Sequence, residues 1–262
     1  AYLSMYLYDS PKQEISHFFP LFVKIVHETE RLGGKALVHC SQGVSRSGAL
    51  GIAYVMWADD CTFDKAYHKA RSHRPTISPN PGFICQLLEW EQLRRLIRDT
   101  PSATLLYQVT TLRRPSVCTG PIAAWMQGDA ACTRCEVKYA VTLARTPESR
   151  ELVRPSRTSL GNTDCGIVRC ASTAYICVGI DCADVEAKVF QCRKEIECWE
   201  VVWGRKFLVH ICTVGSEPVE LLEALVLGAA VDITTPMSKS PMLQRFPSKD
   251  AGELRAAIAA NT

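Results

Sequence analysis

Nowhere in this 262-residue chain do apolar side chains run unbroken for the roughly 18 positions that a membrane-spanning helix needs, the longest candidate being residues 224–231. The start also lacks a basic segment followed by an apolar one, so no secretory leader is read there. A charge bias is missing too. The 30 Lys and Arg stand against 27 Asp and Glu, a net +3 too slight to mark nucleic acid or an anionic membrane as a partner. No internal repeat is present, and an initiator Met is absent: the chain opens on Ala1 with an apolar stretch, YLSMYLY, that has nothing before it, the pattern expected of a fragment.

What is present is a globular composition, 47% hydrophobic and 22% charged, long enough for two domains with a core each. The 13 cysteines are odd in number and irregular in spacing, and one lies in a loop whose chemistry needs a free thiol. That pattern predicts a reducing compartment: a cytoplasmic protein, with the nucleus left open as a second location. Cys132-x-x-Cys135 has half a zinc site's spacing, but no second pair stands at a suitable distance, and no structural metal is expected.

Along the first hundred residues, the pattern predicts a strand over 2–8, a helix over 13–32 and a short strand at 36–38 running into His39 and Cys40. Helices from about Ser45 to Trp57, from Thr62 to before Pro75, and from Gly82 to Arg98 follow. Strand, helix, strand and then clustered helices is an α/β pattern. From residue 100 the texture changes, and 113–163 is rich in Arg, Pro, Ser, Thr and Gly. Beyond it the pattern predicts strands at 165–169 and 174–178, a helix over 183–200, a strand over 206–214 and a short helix over 219–227. A Pro- and Ser-rich tail follows; Thr235-Pro236 and Ser240-Pro241 in it are candidate phosphorylation sites.

The chemistry concentrates in LVHCSQGVSRSG, residues 37–48. A strand ending at Cys40, a loop containing Gly43 and a helix starting near Arg46 gather backbone N–H groups at the positive end of a helix dipole. Such a concavity, made by Ser41, Gln42, Gly43, Val44 and Ser45, fits a phosphoryl dianion. Arg46 can offer it two parallel N–H groups. The same field favours the Cys40 thiolate as nucleophile.

H-C-x-x-G-x-x-R-S resembles the signature of the cysteine-dependent protein tyrosine phosphatases. HCSQGVSRSGALGIAYVMW followed by SPNPGFICQLLEWE is similar to the dual-specificity phosphatases that act on mitogen-activated protein kinases. The resemblance implies roles for further residues. Asp9, ahead of Ser-Pro, reads by itself as a turn or cap residue; the family places its general acid about this far upstream, 40 − 9 = 31 residues before the cysteine. Ser47 would assist thiolate release, His39 would support the loop through hydrogen bonds, and Asn80 would help order it. The loop lacks the lysines usual in phosphoinositide phosphatases, which points to a protein phosphoester.

LYQV at 106–109, TDCGIVRCASTAYICVGIDCADVEAK at 163–188 and GSEP at 215–218 resemble a gelsolin-like repeat. That likeness makes Asp164 and Glu186 calcium candidates, although solvated surface carboxylates are the plainer reading. The combined order resembles plant-type mitogen-activated protein kinase phosphatases. The expected architecture is therefore an α/β cysteine-dependent phosphatase fold, a central sheet with helices, truncated at the N-terminus and occupying 1–101. A smaller α+β gelsolin-like domain follows over 102–232, with a poorly matching insert at 113–158, and then a mobile tail over 233–262. The implied function is hydrolysis of phosphotyrosine and phosphothreonine or phosphoserine without a cofactor, on phosphorylated mitogen-activated protein kinases, with a protein partner for the gelsolin-like part. The alternative is a binding or scaffold protein that holds the phosphorylated kinase with little turnover.

Overall fold

The computed structural model describes residues 2–111, 134–136, 139–144, 153, 155–156, 159 and 161–227. The tail from residue 228, with its two Ser/Thr-Pro pairs, and Cys132 lie outside the described residues.

In the first part, a short strand β1 (Tyr2–Ser4) precedes a 3-10 turn (Ser16–Phe18) and four helices: α1 (Phe19–Arg31), α2 (Arg46–Ala58), α3 (Phe63–His73) and α4 (Pro81–Asp99). The buried residues of α1, Phe19, Phe22, Val23 and Val26, recur at helical spacing. Helix α2 is apolar on most faces and buries Ala49, Leu50, Ile52, Ala53 and Met56, so it sits at the centre of the bundle. Thr62 starts α3 by accepting a hydrogen bond from the Lys65 amide, and Asn80 with Pro81 starts α4. Burying each large apolar side chain in this cluster contributes about 1.5–3 kcal/mol.

The second part holds a five-stranded mixed sheet in the order β4 (Tyr139–Leu143), β2 (Leu105–Thr111), β5 (Cys165–Cys170), β6 (Thr173–Val178) and β7 (Leu208–Thr213). All neighbours are antiparallel except β6 and β7. A parallel pair needs a crossover, and the long helix α5 (Val185–Trp203) supplies it. Period-two alternation divides the side chains. Leu105, Tyr107, Ile167, Ala174 and Ile176 pack with Ile196 and Trp199 of α5, whereas Leu106, Val168, Tyr175 and Cys177 pack with Leu221 of the short helix α6 (Val219–Leu227). The sheet thus lies between one long and one short helix.

The two parts meet along α5. Val202 enters the first hydrophobic cluster, its carbonyl accepts from Trp57 Nε1 at 2.9 Å, and Lys24 Nζ lies 3.0 Å from Glu197. The connection between the parts is clamped by fully buried Arg169, whose guanidinium donates to the carbonyls of Pro101 (3.2 Å) and Ala103 (3.3 Å).

Four expectations change. The strand expected over 2–8 spans only Tyr2–Ser4, paired parallel with β3 (Arg134–Glu136), and residues 36–38 form no strand: Leu37 is 89% exposed. A strand persists through its ladder, and among the described residues no strand runs beside this segment. The helix expected from residue 13 begins later, because Gln86 holds the backbone of 13–16 in another path. In the stretch expected to be loop-rich, Tyr139–Leu143 pairs fully with β2. Strands β5, β6 and β7 and helices α5 and α6 occupy the expected positions within a few residues at each end. Among the described residues, no helix is long and apolar enough to cross a membrane.

Candidate active site

Cys40 is half-buried at the entrance to the loop that leads into α2. Gly43 takes φ +67°, a left-handed conformation that favours glycine at this turn. Arg74 Nε donates to the Gly43 carbonyl at 3.2 Å, and the Ser78 amide donates to the Val44 carbonyl at 3.1 Å. The carbonyls of Gly43 and Val44 are thereby held.

Ser45 occupies the N-cap position of α2 without capping it. Its hydroxyl donates to Asp9 Oδ1 at 2.6 Å and accepts from the Asn80 amide at 3.1 Å. Cys40 Sγ lies 3.2 Å from Ser47 Oγ. Burial works against ionisation of the thiol, yet the Ser47 hydroxyl and the amides of Ser47, Gly43 and Val44 overrule it and push the Cys40 pKa down to about 7. This is the electrostatic core of the site: backbone N–H groups at a helix start, left uncapped, turned to sulfur.

A second group of polar contacts surrounds Asp9, on the loop between β1 and the 3-10 turn. Asn80 Nδ2 donates to Asp9 Oδ1 at 2.9 Å while Asn80 Oδ1 accepts from the Phe83 amide at 3.0 Å, so one side chain both caps α4 and holds the carboxylate. Arg46 Nη1 donates to the Leu7 carbonyl at 3.1 Å, and its Nε stands 3.8 Å from Asp9 Oδ2. The loop lies against the start of α4 so closely that a Cβ at Gly82 would be 1.9 Å from the Pro11 carbonyl oxygen.

The structure therefore brings Cys40, Ser47, Gly43 and Val44 together, and joins Asp9, Ser45, Arg46 and Asn80 by hydrogen bonds and an ion pair. His39, Ser41 and Gln42 are exposed, and their side chains make no hydrogen bond to a described residue. Asp164 stands just before β5 and Glu186 in the first turn of α5; among the described residues no group of three His, Cys, Asp or Glu side chains is placed to hold a metal. Two positioning residues had no assigned role in the sequence reading. Buried Gln86 accepts from the amides of Ile15 (2.7 Å) and Ser16 (2.9 Å) and donates to the Gln13 carbonyl (2.8 Å), fixing the chain that follows Asp9; Arg74 fixes Gly43. A glutamine inside the apolar stripe of α4 was the available signal for the first.

Comparison with known proteins bears on this arrangement. Residues 1–93 match the dual specificity phosphatase catalytic domain. Similar curated proteins include the protein-tyrosine-phosphatase MKP1 of Arabidopsis thaliana, 36% identical over 105 residues, 40% of this chain and 13% of that protein. The human dual specificity protein phosphatase 22 is 42% identical over 91 residues, 35% of this chain and 50% of that protein. The chain thus spans half or less of the length of these two relatives. The crystal structure of the human tyrosine phosphatase-like serine/threonine/tyrosine-interacting protein is 37% identical, covers 33% of this chain and 58% of that one, and superposes with a TM-score of 0.33. The phosphatase match ends at residue 93, before the five-stranded sheet begins.

Proposed function

We propose that this chain is a dual-specificity protein phosphatase that hydrolyses phosphotyrosine and phosphothreonine or phosphoserine through a phosphocysteine intermediate, with phosphorylated mitogen-activated protein kinases as substrates. The carrying observation is Cys40, its pKa pushed down to about 7 by the Ser47 hydroxyl and three backbone amides against the effect of burial. The thiolate attacks phosphorus, the Sγ–P bond forms, and the ester oxygen leaves with a proton from Asp9. Asp9 then takes a proton from the water that attacks the phosphocysteine, and the Ser47 hydroxyl stabilises the departing thiolate. Arg46, anchored by the Leu7 carbonyl and Asp9, turns its remaining N–H groups to the phosphoryl oxygens.

Val202 in the first cluster and Ile97 in the second excepted, the buried residues of each hydrophobic cluster come from one side of residue 102, which supports a domain boundary there. A mixed five-stranded sheet between a long and a short helix supports the gelsolin-like reading of 102–232, with a protein as its partner. The test is phosphate release from a kinase activation-loop peptide bearing both phosphothreonine and phosphotyrosine. Release that disappears in Cys40→Ser supports the enzyme. Retention of the peptide by the wild-type chain without any release would instead establish a binding protein.

A further inference from the structure

Four free thiols of the sheet part stand in two close pairs. Cys177 of β6 and Cys212 of β7 are directly opposite in the parallel register, and their Sγ atoms lie 3.6 Å apart. Cys165 of β5 and Cys192 of α5 bring theirs to 3.8 Å. The pairs occupy opposite faces of the sheet: the first packs with Leu106, Val168 and Leu221, the second with Ile167, Ile196 and Trp199.

The two pairs differ in access. Cys165 and Cys192 are both fully buried, whereas buried Cys177 faces a half-buried Cys212 on β7, an edge strand whose neighbouring Ile211 is 49% exposed. Hydrogen bonding with Cys177 lowers the Cys212 pKa, while Cys212 beside it and burial raise that of Cys177, so the sulfur nearer solvent is the one that ionises. Little movement separates these thiols from a bond. The Sγ atoms must close from 3.6 Å to about 2.05 Å, and neighbouring strands, about 4.8 Å apart, already hold the backbone within the span that a disulfide bridges.

We propose that Cys212 and Cys177 are a modification site, a dithiol that hydrogen peroxide converts to a reversible disulfide fastening edge strand β7 to β6. The Cys212 thiolate attacks one peroxide oxygen; the S–O bond forms, the O–O bond breaks, and the departing hydroxide takes up a proton and leaves as water. The Cys177 sulfur then attacks Cys212: the S–S bond forms, the S–O bond breaks, and the second oxygen leaves as water with the Cys177 proton. Two thiols are oxidised by two electrons in all, and one peroxide is reduced to two waters. A dithiol reductant reverses the change. The 212 − 177 = 35 residues between the two cysteines carry the crossover helix α5, so the bond closes a loop around the element on which the two parts meet.

Hydrogen peroxide in small excess over the whole chain, followed by alkylation in denaturant and peptide mapping, reads each cysteine separately, Cys40 included. The Cys177–Cys212 disulfide should form at least about tenfold faster than any link between Cys165 and Cys192, and should disappear on addition of dithiothreitol. Tm should rise on oxidation of the wild-type chain and not on the same treatment of Cys212→Ser. Cys177→Ser should leave Cys212 as a sulfenic acid that dimedone traps; the wild-type map alone decides the outcome if this buried variant fails to fold. The proposal is overturned if the Cys165–Cys192 link forms as fast, if Cys212 pairs with any other cysteine or a second chain, or if both thiols stay reduced after Cys40 has been oxidised. The map is read without turnover, so failure of the phosphatase reading would leave this result standing.

Discussion

Cys40, in the loop before α2, and Cys170 and Cys198, in the sheet part, are all subject to burial that works against the thiolate. At Cys170 and Cys198 burial prevails and both thiols are pushed up. At Cys40 the Ser47 hydroxyl and the amides of Ser47, Gly43 and Val44 reverse the outcome. Burial alone makes a cysteine inert; donors fixed by a loop and an uncapped helix start make it a nucleophile. Ser45 contributes to this by sending its hydroxyl to Asp9 instead of capping the helix.

The sharpest way to break this contrast is replacement of the thiols themselves. Cys40→Ser should lower phosphate release on the order of 10⁴-fold or more, while Cys170→Ser should leave it within about twofold. Equal losses from the two would erase the distinction. Asp9→Asn should lower kcat by about 10²–10⁴-fold, and Ser45→Ala, which removes one of two donors to the same carboxylate oxygen, by about tenfold. An unchanged kcat in Asp9→Asn would remove Asp9 from the mechanism.

Burial sets the stability costs as well. Ile176→Ala, at a fully buried position of β6, should cost about 2–5 kcal/mol in denaturant unfolding, whereas Leu37→Ser, at an 89% exposed position, should stay within about 0.5 kcal/mol. A comparable cost at Leu37 would mean that residues 36–38 are packed after all. Last and smallest is a pH slope. Glu195 has its folded pKa raised from 4.5 to about 8 by burial, so its contribution is fully present below 4.5 and is lost as pH rises to 8. Tm should therefore fall across that window, and Glu195→Gln should flatten the fall; an equal slope in both proteins would locate the titration elsewhere.

Much of this was legible in the sequence for local reasons. The spacing of Cys40, Gly43 and Arg46 marks the loop, and short apolar runs mark β5 and β6, because each depends on residues close in the chain. The segment 36–38 misled because a short apolar run reports side chains suited to a sheet and not the presence of a neighbouring strand. Strand β4 was missed because its five residues sit inside a Pro- and Arg-rich stretch. The hydrogen bonds joining Asp9, Ser45 and Asn80 link positions 71 residues apart; only tertiary packing places such groups together.

Site-resolved alkylation by iodoacetamide as a function of pH tests the central claim most directly. Cys40 should label with a midpoint near pH 7, Ser47→Ala should move this midpoint upward, and Cys170 and Cys198 should label only above the ordinary thiol range. A Cys40 midpoint near 9, its ordinary value, and unmoved by Ser47→Ala would contradict it.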